Sequence, residues 1–179
     1  MGAWDELDTL ITVDAETDDL DDIQNLDDPY GIFEDVIEYA GNLKEAVQTG
    51  CYKGADDLAT RDRSFQEQAL QKCKNPSGIL ASSINVEDNS SGGDHSEFLI
   101  GTDIQHIYPL SIEFGRGEVH PIPPKTRLRF YGEGGYLIYP LMAGKADPVP
   151  FVAPAYEKTV DISEKIMLLY IGNEMSKVK

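Results

Sequence analysis

The sequence predicts an α+β domain with a long N-terminal helix, an antiparallel β-sheet of about four to five strands and a C-terminal helix. Apolar residues recur at helical spacing over about residues 30–74, the period changes to two from residue 79, and helical spacing returns near the end. Because the strands follow one another between two helices, this order favours an α+β domain over a nucleotide-binding α/β unit.

The long helix is predicted by an N-terminal signal and an apolar stripe. Asp28-Pro29 supplies an N-cap followed by proline at the first helical position. The stripe consists of Phe33, Val36, Ile37, Ala40, Leu43, Val47, Leu58, Phe65, Ala69 and Cys73. Gly50 and Gly54 predict a break or bend within it. Asn75-Pro76-Ser77-Gly78 predicts the end of the helix, because proline cannot continue it.

The strands and the last helix are predicted from period and from turn residues. Ile, Leu, Phe and Tyr alternate with polar residues near 79–87, 97–104, 107–114, 126–132 and 135–141. Glycine-rich turns are expected at 89–94 and 132–135, each joining two strands as a hairpin. The last helix is predicted from Pro154 to about Gly172.

Charge is distributed unevenly along the chain. The net charge is −17, and residues 1–43 contain fourteen acidic side chains and no Lys or Arg. We therefore divide the chain into an acidic N-terminal arm (1–29), flexible or ordered by a partner, an α+β domain (30–172) and a C-terminal tail (173–179). Because the first residues are acidic and lack a basic segment, we expect no secretory signal, and no apolar run in the sequence is long enough to span a membrane.

Residues that carry chemistry are few. Cys51 and Cys73 are expected to be reduced thiols, with a disulfide left open, and no metal-ligand spacing links them to His95, His106 or His120. Glu113 with His106 or His120 is a conceivable acid–base pair, but no catalytic motif accompanies it. We expect neither enzymatic activity nor a cofactor.

The stretch 111–131 gathers four basic residues within the acidic chain. GRG at 115–117 and GEGG at 132–135 are not expected to bind phosphate, because neither leads into a helix. Arg127 and Arg129 alternate with Leu128 and are predicted to share one strand face. This face could contact nucleic acid or pair with acidic residues of protein neighbours, and we favour the second interpretation.

Several short motifs follow one another along about residues 50–170. They are Asn75–Ile84 (NPSGILASSI), Gly101-Thr102, Tyr108 leading into Ile112–Gly117 (IEFGRG), Pro124-Lys125 leading into Leu128–Phe130, and Pro150–Ala155 (PFVAPA). In this order and spacing the chain resembles the gene-ten-like tail-component family of lambdoid siphophages, whose members are head–tail joining or tail-completion proteins. It departs from the family in a shorter first turn, in Arg116 where threonine is usual, and in residues 1–29, which have no counterpart.

The resemblance implies a structural virion protein without catalytic residues, assembled in the host cytoplasm and placed at the neck or upper tail. It implies a homo-oligomeric ring, hexameric by analogy, that joins the tail to the capsid connector and lets DNA pass as cargo. Its neighbours are expected to be connector or stopper proteins and tail-terminator or tail-tube proteins, with no membrane partner. Open alternatives are a tail-terminator ring subunit, a soluble acidic protein-binding adaptor that uses the long helix, and a hydrolase at Glu113 and His120.

The predicted contact residues form two sets in such a ring. One set is expected to lie between subunits and consists of Glu113, Arg116, Arg127 and Arg129. The other set lies in loops 89–96 and 115–124, is expected to touch adjacent rings, and consists of Asp94, His95 and His120. Proline in VHPIPPK and ADPVPFVAP limits loop entropy, which lowers the cost of ordering such contacts.

Overall fold

The structure is a computed structural model, and it describes residues 9–17, 34–72, 78–102, 104, 107–131 and 137–179. The helices of this part of the chain are α1 (Glu34–Leu70), α2 (Ile79–Ser82), α3 (Ile107–Glu113) and α4 (Val152–Met175). The strands are β1 (Thr9–Asp14), β2 (Ile84–Asp88), β3 (His95–Thr102), β4 (Phe130–Tyr131) and β5 (Leu137–Ile138). The predicted mixture of a long helix, antiparallel strands and a C-terminal helix is confirmed.

The sheet contains β1, β3 and β2 in that order, all antiparallel. In the register Ile11 lies opposite Phe98, and Val86 lies opposite Ile100. Burial alternates along β3, so that Ser96, Phe98 and Ile100 share the buried face, as the period of two requires. This face packs against α1.

The helices α1 and α4 pack antiparallel to each other, and glycines in α1 allow their close approach. A Cβ added at Gly50 would lie 2.6 Å from the Cα of Ile171, and one at Gly54 would lie 2.6 Å from the sulfur of Met167. The predicted break at these glycines is therefore wrong, because α1 runs unbroken through both. Because these glycines have no side chain, α4 can pack closely against α1.

The hydrophobic core lies between the sheet, α1 and the start of α4. Full burial of a Phe or Ile side chain contributes about 1.5–3 kcal/mol, so this cluster is the main source of stability. Its buried members are Ala55, Ala59, Leu70, Leu80, Ile84, Phe98, Ile100 and Phe151. Tyr52 extends it towards solvent, with its ring centroid 5.6 Å from that of Phe98.

Four of the predicted strands differ from the structure. The strand predicted at 79–87 begins with the short helix α2, and β2 follows it. Residues 107–113 form α3, because Pro109 lies in the first helical turn, where its missing N–H is not needed. Among their described residues, the segments predicted at 126–132 and 135–141 contain β4 and β5, two residues each, in a separate sheet, and the turn predicted at 132–135 lies outside the described residues. The main sheet therefore has three strands where four to five were predicted.

The proposed division of the chain also changes at both ends. Thr9–Asp14, assigned to the acidic arm, is an edge strand of the main sheet, because its β-branched residues pair with β3. The predicted tail 173–179 begins inside α4, and Glu174 forms ion pairs with Lys53 and Lys177 at 2.7 Å each. Described residues of the predicted arm and tail thus take part in the main sheet and in α4.

Candidate functional site

Glu113 caps the N-terminus of α4. It is the last residue of α3, and only 5% of its surface is exposed. Its Oε2 accepts hydrogen bonds from the backbone N–H groups of Phe151 (2.6 Å) and Val152 (3.1 Å). Its Oε1 accepts one from Ala153 at 3.4 Å. Because these N–H groups have no partner within the helix, a carboxylate here satisfies them and meets the positive end of the helix dipole.

This position bears on both roles predicted for Glu113. Its buried carboxylate has little surface to offer a neighbouring subunit, and all its hydrogen bonds are to the start of α4. His120, the suggested acid–base partner, is exposed, and its Nε2 lies 3.6 Å from Oε2 of Glu118. His106 lies outside the described residues. Glu113 and His120 therefore contact different partners, and Glu113 serves the fold.

The chain between α3 and α4, residues 114–151, is named here the α3–α4 connection. Its backbone folds back on itself, with hydrogen bonds in both directions between Arg116 and Ala146 (2.9 and 3.0 Å) and between Val119 and Ala143 (2.9 Å each). β4 and β5 continue the same antiparallel pairing further out. At the base of the connection, the Val149 N–H donates to the Ile112 carbonyl at 2.7 Å.

The described part of the α3–α4 connection has a paired backbone but buries almost no side chains. Among its residues of described burial, only Phe151 is buried. Large apolar side chains face solvent instead, and Phe114, Ile122 and Leu141 are 70%, 80% and 64% exposed. Val119, Leu137, Tyr139 and Met142 are exposed as well. Such a concentration of exposed apolar side chains is typical of a surface that another molecule covers.

The three predicted contact arginines all lie on the α3–α4 connection. Arg127 and Arg129 are exposed, and Arg116 is half-buried. Arg127 donates one hydrogen bond, from Nη1 to the Tyr139 carbonyl at 3.1 Å. Within the described residues none of the three arginines forms an ion pair. Arg127 and Arg129 therefore present their charges to solvent, while Arg116 lies nearer the base of the connection, where its backbone pairs with Ala146.

Asp94 and His95 hold the β2–β3 hairpin to the segment that follows β1. The Asp94 carboxylate accepts hydrogen bonds from Thr17 and from Gln48 of α1. Its carbonyl accepts a further bond from the backbone N–H of residue 15 at 2.8 Å. His95 Nδ1 lies 2.8 Å from Asp14 Oδ1, and this hydrogen bond is the main reason why the pKa of His95 is raised above 6.5. Both residues therefore have partners within the chain.

A buried polar cluster was missed by the sequence analysis. Asp62 of α1 accepts hydrogen bonds from Gln66 (2.7 Å) and from Thr159 of α4 (3.1 Å). Gln66 also reaches the hydroxyl of Thr9 in β1 at 3.4 Å. Burial raises the pKa of Asp62, although both hydrogen bonds oppose that rise. The available signal was its spacing, since Asp62 follows Leu58 by one helical turn on the apolar stripe.

In the described part of the chain, no group of three or more His, Cys, Asp or Glu side chains is arranged to hold a metal ion. Cys51 is a buried free thiol whose pKa is raised by burial, while Cys73 lies outside the described residues. No helix among the described residues has both the length and the apolar character needed to cross a membrane.

Comparisons with protein-family models, with curated proteins and with solved structures find no match for this chain. The family resemblance drawn from the sequence therefore stays a prediction. What the geometry adds is the distinction between Glu113, which is buried at the start of α4, and residues presented to solvent, such as Arg127 and Arg129.

Proposed function

We propose that this chain is a non-enzymatic structural subunit of a tailed-phage virion that assembles into a ring at the head–tail interface. The observation that supports this most is the α3–α4 connection, whose paired backbone presents apolar and cationic side chains without burying them. The order of motifs that resembles the siphophage tail-component family supplies the place in the virion. The connection itself contains one of those motifs in full, Pro124-Lys125 leading into Leu128–Phe130, and parts of IEFGRG and PFVAPA.

The proposed ring is hexameric and contacts connector or stopper proteins on one side and tail-terminator or tail-tube proteins on the other. DNA passes through it as cargo. The net charge of −17 suits this role, because acidic side chains facing a lumen disfavour binding to phosphates. The hairpin residues Asp94 and His95, and His120 on the connection, are proposed contacts to adjacent rings.

Electron microscopy of the purified chain, alone and mixed with connector and tail-tube proteins, tests this function. We expect rings, or ring formation on addition of those partners. A chain that stays monomeric and inert towards all of them would rule the proposal out. A tail-terminator role in the same virion predicts binding to the tail tube alone, so the partner that induces the ring separates the two readings.

A soluble acidic adaptor is the second candidate, and one observation favours it. Val36 and Tyr39 at the start of α1 are 51% and 49% exposed beside acidic side chains. An adaptor predicts a stable complex through this end of α1 with a protein unrelated to virions. The hydrolase alternative loses support, since the carboxylate of Glu113 accepts hydrogen bonds from three backbone N–H groups of the α4 start.

A further inference from the structure

Two exposed surfaces of this chain are complementary in charge and similar in apolar content. The first, named the basic surface, lies on the α3–α4 connection and consists of Phe114, Arg116, Ile122, Arg127, Arg129 and Leu141. The second, named the acidic surface, is the start of α1 and consists of Glu34, Asp35, Val36, Glu38 and Tyr39. Each surface therefore combines exposed apolar side chains with charges mainly of one sign, although Arg116 is half-buried and the connection also exposes Glu118 and Asp147.

The charge of each surface is a property of its segment. Residues 114–151 hold five Lys or Arg against three acidic residues, in a chain of net charge −17. The acidic surface lies within residues 1–43, which contain no Lys or Arg. Opposite charges speed encounter and fix which surfaces meet, while desolvated apolar and aromatic anchors supply most of the affinity. Both components are present on both surfaces.

We propose that the basic surface of one copy docks on the acidic surface of the next copy. This inference rests on the proposed function, because it names the contact by which the ring closes. Because the two surfaces are different parts of one chain, their pairing is head-to-tail, which generates a ring when the rotation closes. The occupant of each surface is thus a second copy of this chain. The Arg127 and Arg129 guanidinium groups meet the Glu34 and Glu38 carboxylates.

Charge exchange between the surfaces provides the test. The first variant carries Arg127→Glu and Arg129→Glu, and the second carries Glu34→Lys and Glu38→Lys. Each variant alone places like charges at every contact, so self-association measured by sedimentation velocity should weaken at least tenfold. An equimolar mixture restores opposite charges at both kinds of contact, so association should return to nearly the wild-type level. The variant with all four substitutions should associate by itself.

A matched control changes charge elsewhere. Lys165→Glu with Lys179→Glu alters two exposed lysines outside both surfaces and should leave association unchanged. Far-UV circular dichroism of every variant tests whether it folds. Restored association in the mixture would also show that both charge-exchanged variants are folded. Raising the salt concentration should weaken wild-type association, since exposed charges are screened.

The outcomes separate this inference from the proposed function. If the wild-type chain forms rings but the mixed variants stay as weak as each alone, the pairing is wrong while the ring function stands. If the charge exchange restores association but the assemblies ignore every connector and tail protein, the pairing stands and the virion role is wrong. A wild-type chain that remains monomeric at all concentrations overturns the pairing as well.

Discussion

Replacing Glu113 with alanine removes the acceptor for three backbone N–H groups at the start of α4, two of them within 3.1 Å. Loss of an N-cap acceptor costs about 0.5–2 kcal/mol, and hydrogen bonds to a charged partner contribute about 1.5–3 kcal/mol. Because Glu113 is buried, water replaces its carboxylate poorly. We therefore expect Glu113→Ala to lower the free energy of unfolding by about 3 kcal/mol.

Urea unfolding followed by far-UV circular dichroism measures this loss, at one protein concentration so that association affects all variants equally. In thermal unfolding the same loss lowers the midpoint by roughly 6–12 °C for a chain of this size. Glu113→Gln keeps one carbonyl acceptor and should lose about half as much, about 1.5 kcal/mol. Amide hydrogen exchange at residues 151–153 should accelerate in both variants.

Glu118→Ala serves as the matched control, since Glu118 is an exposed acid five residues along the chain. Surface substitutions of this kind stay within about 0.5 kcal/mol. The reasoning is refuted if Glu113→Ala costs no more than Glu118→Ala, because the buried carboxylate would then contribute nothing to the start of α4. It is also refuted if exchange at residues 151–153 is unchanged.

Further substitutions probe helix contact and pH dependence. Gly50→Ala should lower the free energy of unfolding by about 1–3 kcal/mol, because the added Cβ overpacks against the α4 backbone. Gly172→Ala should raise it by up to about 1 kcal/mol, because a Cβ there meets no atom within 4 Å. Equal effects of the two substitutions in urea unfolding would contradict this. Burial raises the folded-state pKa of Asp62 above 3.8, so the stability that Asp62 contributes is complete below pH 3.8 and is lost as the pH rises through the folded-state pKa. Asp62→Asn cannot ionise and should lack this part of the pH dependence. An identical pH dependence of unfolding for the variant and the wild type would contradict this. Because the pKa of His95 is raised, the stability that His95 contributes is complete below pH 6.5 and is lost as the pH rises through the folded-state pKa. Asp14→Asn should move that pKa towards 6.5 in an NMR titration. An unchanged pKa would exclude the hydrogen bond to Asp14 as its cause.

The two long helices are the part of the fold that local pattern determines. Apolar spacing and boundary residues place the end of α1 and both ends of α4 within a few residues of the observed ones, while the predicted start of α1 at Asp28-Pro29 lies outside the described residues. The predicted break at Gly50 failed because the pattern shows only the low helix propensity of glycine. The reason for the glycine is the backbone of α4, more than a hundred residues away in sequence.

The short elements could not be predicted in the same way. IYPLSIEF at 107–114 has apolar residues that suit either a strand or a helix, and the structure gives α3. The acidic composition near Thr9–Asp14 suggested an arm, yet its alternating burial matches an edge strand against β3. In both cases tertiary pairing overrides composition.

The candidate site was predicted unevenly for the same reason. Arg127 and Arg129 are exposed, as their place on a polar face suggested, although the strand expected there is only the two-residue β4. The capping role of Glu113 could not be predicted from the sequence, because its partners begin 38 residues further along the chain. A glutamate that caps a helix and a glutamate that contacts a partner look identical in a sequence, and only the burial of the side chain distinguishes them.

The cap and the basic surface are physically connected. Glu113 ends α3 and fixes the start of α4, and the Val149 N–H bonds the carbonyl of Ile112, so the α3–α4 connection leaves and rejoins the core at one point. Its backbone pairing then positions Arg127 and Arg129 although its side chains bury almost nothing. A surface ordered before contact loses less conformational entropy on association. The buried carboxylate therefore supports the proposed subunit contact indirectly, by holding in place a segment that contacts the next copy.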